Sequence, residues 1–459
     1  MKRFEEYEAL MAELENCAPV ELEDTLVRAQ KKKMRREKIY RPFIGVAAVM
    51  LLFVLMVNFS TPIAYACSKV PILRELAEAV TFSPSLTDAV KNDYVQPMNL
   101  VQMDGEVSAK VEYLIVDQKQ VNVFYRLYSD VYENMNADPR VMSADGSSPP
   151  PCSYGVNDWD VPNGELQSVN IDFVEENVPE SLRLQLKIRD FSMSAQEAPT
   201  ASVEEQLFNP QAPEEEEYIA EFDFLLEFDP QFTAAGKKIE VNQTVELEGQ
   251  KITVMDVEIY PSHLRVNVMD DTENTAWLKR LDFYVETDWG MKFETISEGI
   301  TATGTDGRPS LESFRAESNY FYEADKLKIV ITGAEWLRKD MEKVYLNLET
   351  GENGGLPEGV SFLGAEKMKS GWLLKLKAVQ RKENHFHQIL THKFYDAKGK
   401  EYEIRRWSSY NEDMEEGTEG IRYMIEEVPL ANFHDTEVWL MPHYSHEWTA
   451  ENPVVVVVQ

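Results

Sequence analysis

From Pro42 to Ser68 the chain carries no charged residue, and this run of 27 positions limits the whole architecture. As a helix it would rise about 40 Å, enough to cross a hydrocarbon core of about 30 Å. Eight basic residues lie between Arg28 and Arg41, with only Glu37 against them, and the next positive charge after the run is Lys69. The excess of Lys and Arg before the run predicts a cytoplasmic N-terminus, a transmembrane helix over 42–64, and everything later outside. A secretory signal fits less well, because 41 residues precede the apolar run and leaders are normally shorter. The Ala64-Tyr65-Ala66-Cys67 sequence keeps cleavage or lipidation as the competing expectation. The expected location is therefore the plasma membrane, single-pass, with the C-terminus extracellular.

Charge divides the chain at the same place. Residues 1–41 hold ten basic and nine acidic residues. The totals of 46 and 80 therefore leave 36 basic and 71 acidic residues, net −35, in 42–459. Phosphate recognition needs clustered Lys and Arg, so nucleic acid is not expected as a partner of this acidic portion.

In KRFEEYEALMAELEN, residues 2–16, Phe4, Tyr7, Leu10, Met11 and Leu14 recur at spacings of three and four. They form an apolar stripe on an acidic helix. Pro19 interrupts, and a second helix with Leu22, Leu26 and Val27 on one side follows. Two short helices cannot bury a core of their own. The stripe is therefore the candidate partner-binding surface, for docking in a groove of a cytoplasmic protein. A frayed or membrane-surface helix is the plainer alternative.

After the span, 65–95 reads as a helical neck, with Leu73, Leu76 and Val80 before a break at Pro84, then Leu86, Ala89 and Val90. From about residue 105 the period changes to two, with turn residues every eight to twelve positions. Three hairpin-like stretches resemble one another, beginning at Val107, Ile252 and Val360. Their expected buried sides are Val121, Val123, Tyr125 and Leu127; Leu264, Val266 and Val268; and Trp372, Leu374 and Leu376. A closing strand follows each, at Leu182, Leu327 and Val438, separations of 75, 75 and 78 residues. Equal spacing implies three copies of one unit. The expected fold class is mainly β, with tandem immunoglobulin-like sandwiches over 96–236, 237–344 and 345–459. An acidic loop, FNPQAPEEEEY, interrupts the first, and Tyr218 to Phe228 should return to it as a strand. The terminal valines, Val454 to Val458, are expected to close the third.

Little points to chemistry. Cys17 lies across the membrane from Cys67 and Cys152 in this topology, and three cysteines make no disulfide framework. Six of seven histidines fall late. His385 and His387 would share a strand face, and His443 and His446 could add ligands, so a zinc or copper site is conceivable, though no third ligand is fixed by spacing. No phosphate loop, nucleophile elbow, zincin or calcium-loop motif occurs. Neither an enzyme nor a cofactor is expected.

The run NFSTPIAYACSKVPILRELAEAVTFSPSLTDAVKNDYVQP, with VEYLIVDQKQVNVFYRL after it, roughly residues 58 to 128, resembles a bacterial membrane family known as the domain of unknown function numbered four-one-seven-nine. The second unit is similar to an immunoglobulin-like domain that often follows it. Members are often encoded beside extracytoplasmic-function sigma factors in Gram-positive bacteria, so the resemblance implies an anti-sigma role in signal transduction. The His-x-x-x-Cys-x-x-Cys zinc motif of many sigma-binding domains is missing here. The leading expectation is a transducer coupling an envelope ligand to a cytoplasmic sigma factor. The alternative is an envelope binding or structural protein with no sigma partner.

Overall fold

The computed structural model describes Leu76 and residues 80–156, 161–174, 176–190, 218–230, 233–296, 300–304, 309–380, 388–404, 408–412 and 422–458. The N-terminal stripe, the uncharged run and the acidic loop lie outside these residues, apart from Tyr218 at the loop's end. Among the described residues no helix is long and apolar enough to cross a membrane.

The protein is mainly β, and the described residues form six sheets paired around three sandwich cores. The first sheet runs β1 (Gln96–Asp104), β2 (Val107–Asp117), β3 (Gln120–Ser129), β6 (Leu166–Asp172), β5 (Ser153–Val156). Its partner sheet is β4 (Met135–Ser143), β7 (Ser181–Asp190) and β8 (Ala220–Glu227). A short β9 (Thr233–Ala234) lies parallel to β2. Alternation decides the packing: Leu182, Leu184, Leu186 and Ile188 on β7 point into the core that Val121, Val123, Tyr125 and Leu127 enter from β3. Each such side chain contributes about 1.5 to 3 kcal/mol when fully buried.

The second unit repeats this order, with β10 (Lys237–Leu247), β11 (Gln250–Ile259), β12 (Leu264–Asp270), β16 (Ser313–Ala316) and β15 (Ala302–Thr303) in one sheet. In the other are β14 (Lys292–Glu294), β13 (Ala276–Thr287), β17 (Leu327–Arg338) and, unexpectedly, β26 (His446–Val458). The third has β19 (Val360–Met368), β20 (Gly371–Gln380), β24 (Arg422–Ala431) and β23 (Ser408–Glu412) facing β18 (Val344–Asn347), β25 (Glu437–Pro442), β21 (Leu390–Tyr395) and β22 (Glu401–Glu403). All three hairpins read from the sequence are present, as β2–β3, β11–β12 and β19–β20. The run from Tyr218 forms β8, paired with β7.

The terminal valines differ from the expectation. Val454 to Val458 pair with Ile331 to Leu327 of β17, and Val456 and Val458 enter the second core, not the third. The third unit is thus inserted between two paired strands of the second, and its own edge is supplied by β18 before it, paired with β25. The chain leaves and re-enters at one point: Ser445 N–H donates to Trp336 O at 2.8 Å and Arg338 N–H to Ser445 Oγ at 2.8 Å. Spacing alone could not separate these topologies, because an alternating valine strand completes either core equally well.

Replacing residues 340–444 with a short glycine linker should therefore leave a chain that unfolds cooperatively with the first two cores intact. Val456→Asp, a charge placed at a position with 0% exposure, should instead unfold the second unit. Denaturant melts of both chains check the pair of outcomes.

Candidate functional site

The neck is not a free stalk. Pro84, read as a break, is the first residue of helix α1 (Pro84–Lys91), where its fixed φ and missing N–H suit a helix start. Ser83 caps it, its Oγ accepting from Leu86 N–H at 3.3 Å. Leu76, Val80, Leu86, Ala89 and Val90 pack on Tyr113, Ile115 and Phe124, the outer face of β2 and β3. That explains why YLIV in β2 is apolar without alternation: Leu114 and Val116 face the sandwich core while Tyr113 and Ile115 face the neck.

The neck also reaches the second unit. Glu317, following β16, accepts from Ser85 N–H at 2.8 Å, from Ser83 Oγ at 3.1 Å and from the Ser85 hydroxyl. Ser318 N–H donates to Ser85 Oγ at 2.6 Å, and Tyr322 OH donates to Asp88 Oδ2 at 2.7 Å. Burial pushes the Glu317 carboxyl above the ordinary range, and its three donors pull the other way.

Beside this clamp, the hairpin turns of the first two units meet in a buried polar cluster. Asp172, at the end of β6 with 0% exposure, takes Arg315 in a two-pronged pair at 2.7 and 3.0 Å, and Arg265 at 3.0 Å. Arg265 also donates to Phe173 O at 3.0 Å. The fork geometry of a guanidinium matches a carboxylate, which lets two arginines sit on one Asp without stranding their donors.

Asp117, at the end of β2, accepts from the backbones of Lys119, Gln120 and Ser262, at 2.9, 2.9 and 3.2 Å, and from Ser262 Oγ at 2.5 Å. Ser262 Oγ lies 2.8 Å from His263 Nδ1, and Arg265 Nε–H donates to His263 Nε2 at 2.8 Å. A guanidinium can only donate, so Nε2 accepts and the imidazole carries its proton on Nδ1. The chain of donation runs Arg265, His263, Ser262, Asp117. Burial, with Arg265 and Arg315 close by, holds His263 well below its ordinary pKa, so it stays neutral. Burial raises the Asp117 pKa against its four hydrogen bonds.

Asp, Ser and His together invite comparison with a hydrolytic triad, but the arrangement differs. The serine donates to the aspartate directly, the imidazole's far nitrogen is occupied by Arg265, and Ser262 and His263 are 2% and 0% exposed. A nucleophile sealed from substrate does no chemistry. What the cluster does is fix orientation: displacement of one unit against the other strands a buried charge. The linker supports it, since a Cβ on Gly236 would collide with the ring of Tyr260, which stacks on His263 at 5.2 Å.

Phe4, Tyr7, Leu10, Met11 and Leu14, with His385 and His387, lie outside the described residues. His446 stands between Glu248 of the second unit and Glu358 of the third, at 3.0 and 2.6 Å. Burial lowers its pKa, but the two carboxylates outweigh that and raise it overall. Among the described residues no group of three His, Cys, Asp or Glu side chains is placed to hold a metal. In the sequence, 117–120 and 260–263 look like ordinary polar turns; the available signal was Arg265 and Arg315 inside strands whose other residues are largely apolar.

These features define a chain of β units with a docked neck and a buried joint. Residues 34–129, which take in the uncharged run, the neck and β1 to β3, match the family described as a domain of unknown function, DUF4179. Residues 236–362 match a family of unknown function, DUF5643. No curated protein matches the chain. Among solved structures, a conserved domain protein from Bacillus anthracis is similar at 14% identity over 57% of this chain and 84% of its own, with a TM-score of 0.36.

Asp172→Ala should destabilise the protein by about 3 to 5 kcal/mol, because two buried guanidinium groups lose their counter-charge. Chemical denaturation measures it. His263 gives a pH test with a definite sign. Its folded pKa lies below the unfolded value near 6.5, so the unfolded chain binds the extra proton. Its stabilisation is complete above about pH 6.5 and is lost on acidification, by about 2 kcal/mol between roughly pH 7.5 and 5. Glu317 and His446 shift the opposite way, so the His263→Gln variant is the reference, and the difference between the two pH profiles should show the loss.

Proposed function

We propose that this protein is a single-pass membrane signal transducer. Its acidic, immunoglobulin-like exterior senses the envelope, and its N-terminal stripe holds a cytoplasmic extracytoplasmic-function sigma factor. The observation that carries this reading is the neck. Leu76 and residues 80–91, which follow the uncharged run in sequence, are held by both of the first two units, through apolar packing against Tyr113, Ile115 and Phe124 and through Glu317. A change in the joint between those units must therefore change the hold on the segment leading to the membrane. Phe4, Tyr7, Leu10, Met11 and Leu14 would occupy a groove on the sigma factor until cleavage or rearrangement outside releases it. The family match over 34–129 supports the link between the uncharged run and the neck.

The test is co-purification of the full-length chain with an extracytoplasmic-function sigma factor, in cells where one is encoded nearby, together with a sigma-dependent reporter. Replacing Leu10 and Leu14 with Asp should abolish capture and raise the reporter. Glu317→Ala should leave capture intact and raise the reporter by weakening the neck clamp. A chain that captures no sigma factor, or a reporter indifferent to all three changes, overturns the proposal.

A further inference from the structure

A cleft of about 630 Å³ opens at one end of the second unit, where β10 and the end of β26 meet the Thr287–Met291 turn and the loop that follows Glu317. Its most prominent group is Trp289, 55% exposed, at the tip of that turn. The turn is closed by Gly290 N–H donating to Thr287 O at 3.0 Å, with Gly290 at φ +91°, a conformation strained for any residue with a Cβ. Trp289 Nε1–H donates to Glu323 O at 3.3 Å, so the indole is held at its edge while the side chain stays exposed. A large exposed aromatic ring that is pinned in place loses little entropy on binding.

The lining also carries an unsatisfied group. Asn319 lines the cleft, is 6% exposed, and its Oδ1 has no hydrogen-bond partner. An acceptor withheld from water without a donor is unfavourable. The torsion that orients an Asn amide is soft, so this acceptor can turn to a donor that enters the cleft. The charged groups of the lining are mixed: Lys237 and Lys326 stand among Asp288, Glu323 and Asp325. They leave no strong field for a highly charged ligand and offer both donors and acceptors.

We propose that this cleft binds a neutral oligosaccharide. An apolar ring face stacks on Trp289, and hydroxyl or acetamido N–H groups donate to Asn319 and the carboxylates. Sugars combine an apolar C–H face with hydroxyls that both donate and accept, the combination that an indole beside mixed polar groups selects. Polyanions are disfavoured by the chain's net charge of −34. Sugar binding here does not depend on whether residues 1–41 hold a sigma factor, so failure of one leaves the other standing.

The test titrates the detergent-purified full-length chain with an N-acetylglucosamine tetramer, cellotetraose and maltotetraose by calorimetry. The three arms separate an acetamido requirement from a plain glucan. Saturable binding of at least one, weakened about tenfold or more by Trp289→Ala, is the expected result. Asn319→Ala should also weaken binding while leaving thermal stability unchanged or raised, since it removes an unpartnered acceptor; a structural Asn would lower stability instead. Absence of binding by all three sugars, or binding indifferent to Trp289→Ala, overturns the proposal.

Discussion

One carboxylate, Asp172, sets the relation between the first two units. It ends β6 of the first and meets Arg265 and Arg315 of the second in a site closed to solvent. Such buried pairs add little net stability, because the desolvation of the ions offsets most of their attraction. Their effect is on geometry. A hydrophobic joint tolerates sliding, whereas a two-pronged guanidinium pair loses both hydrogen bonds over about an ångström. With Asp117 ionised, the cluster holds two cations and two anions, and the neutral His263 passes a hydrogen bond between the two halves without adding charge.

This fixed joint makes the neck's position informative. Helix α1 covers the outer face of β2 and β3, which would otherwise expose Tyr113, Ile115 and Phe124 to water. Its serines complete the hydrogen bonding of Glu317 across the seam. The neck is therefore part of the packing of both units, and loosening it uncovers apolar surface and a buried carboxylate together. Detachment is then a cooperative event, governed by the whole patch and not by single contacts.

Periodicity made much of the fold legible. Alternating residues such as Leu182 to Ile188, and the three hairpins, lie where the period-two pattern put them, because half-buried strands write their face directly into sequence. The insertion of the third unit was not legible. Val454 to Val458 carry an apolar pattern that fits any open sheet edge, and choosing the edge depends on β18 having already filled the third unit's own. The joint escaped for a related reason. Asp117 and Ser262 are 145 residues apart, and each by itself looks like a turn-former. Arg265 gave a hint, since an arginine between Leu264 and Val266 must reach either water or a carboxylate, but no local pattern names which.

The loop from Glu317 to Tyr322 brings these elements together. Glu317 and Ser318 hold Ser83 and Ser85 of the neck, Asn319 lines the cleft, and Tyr322 does both, lining the cleft and donating to Asp88 of α1. A ligand that draws Asn319 or Tyr322 toward Trp289 therefore acts on residues adjoining the neck contacts, with no intervening chain to absorb the movement. Contiguity by itself does not amount to coupling. What would make it so is a difference in the Tyr322–Asp88 bond between the filled and empty cleft, because a ligand shifts an equilibrium only by binding one arrangement better than the other. Tyr322 is the residue that both lines the cleft and bonds α1, so its bond to Asp88 is where such a difference would be read.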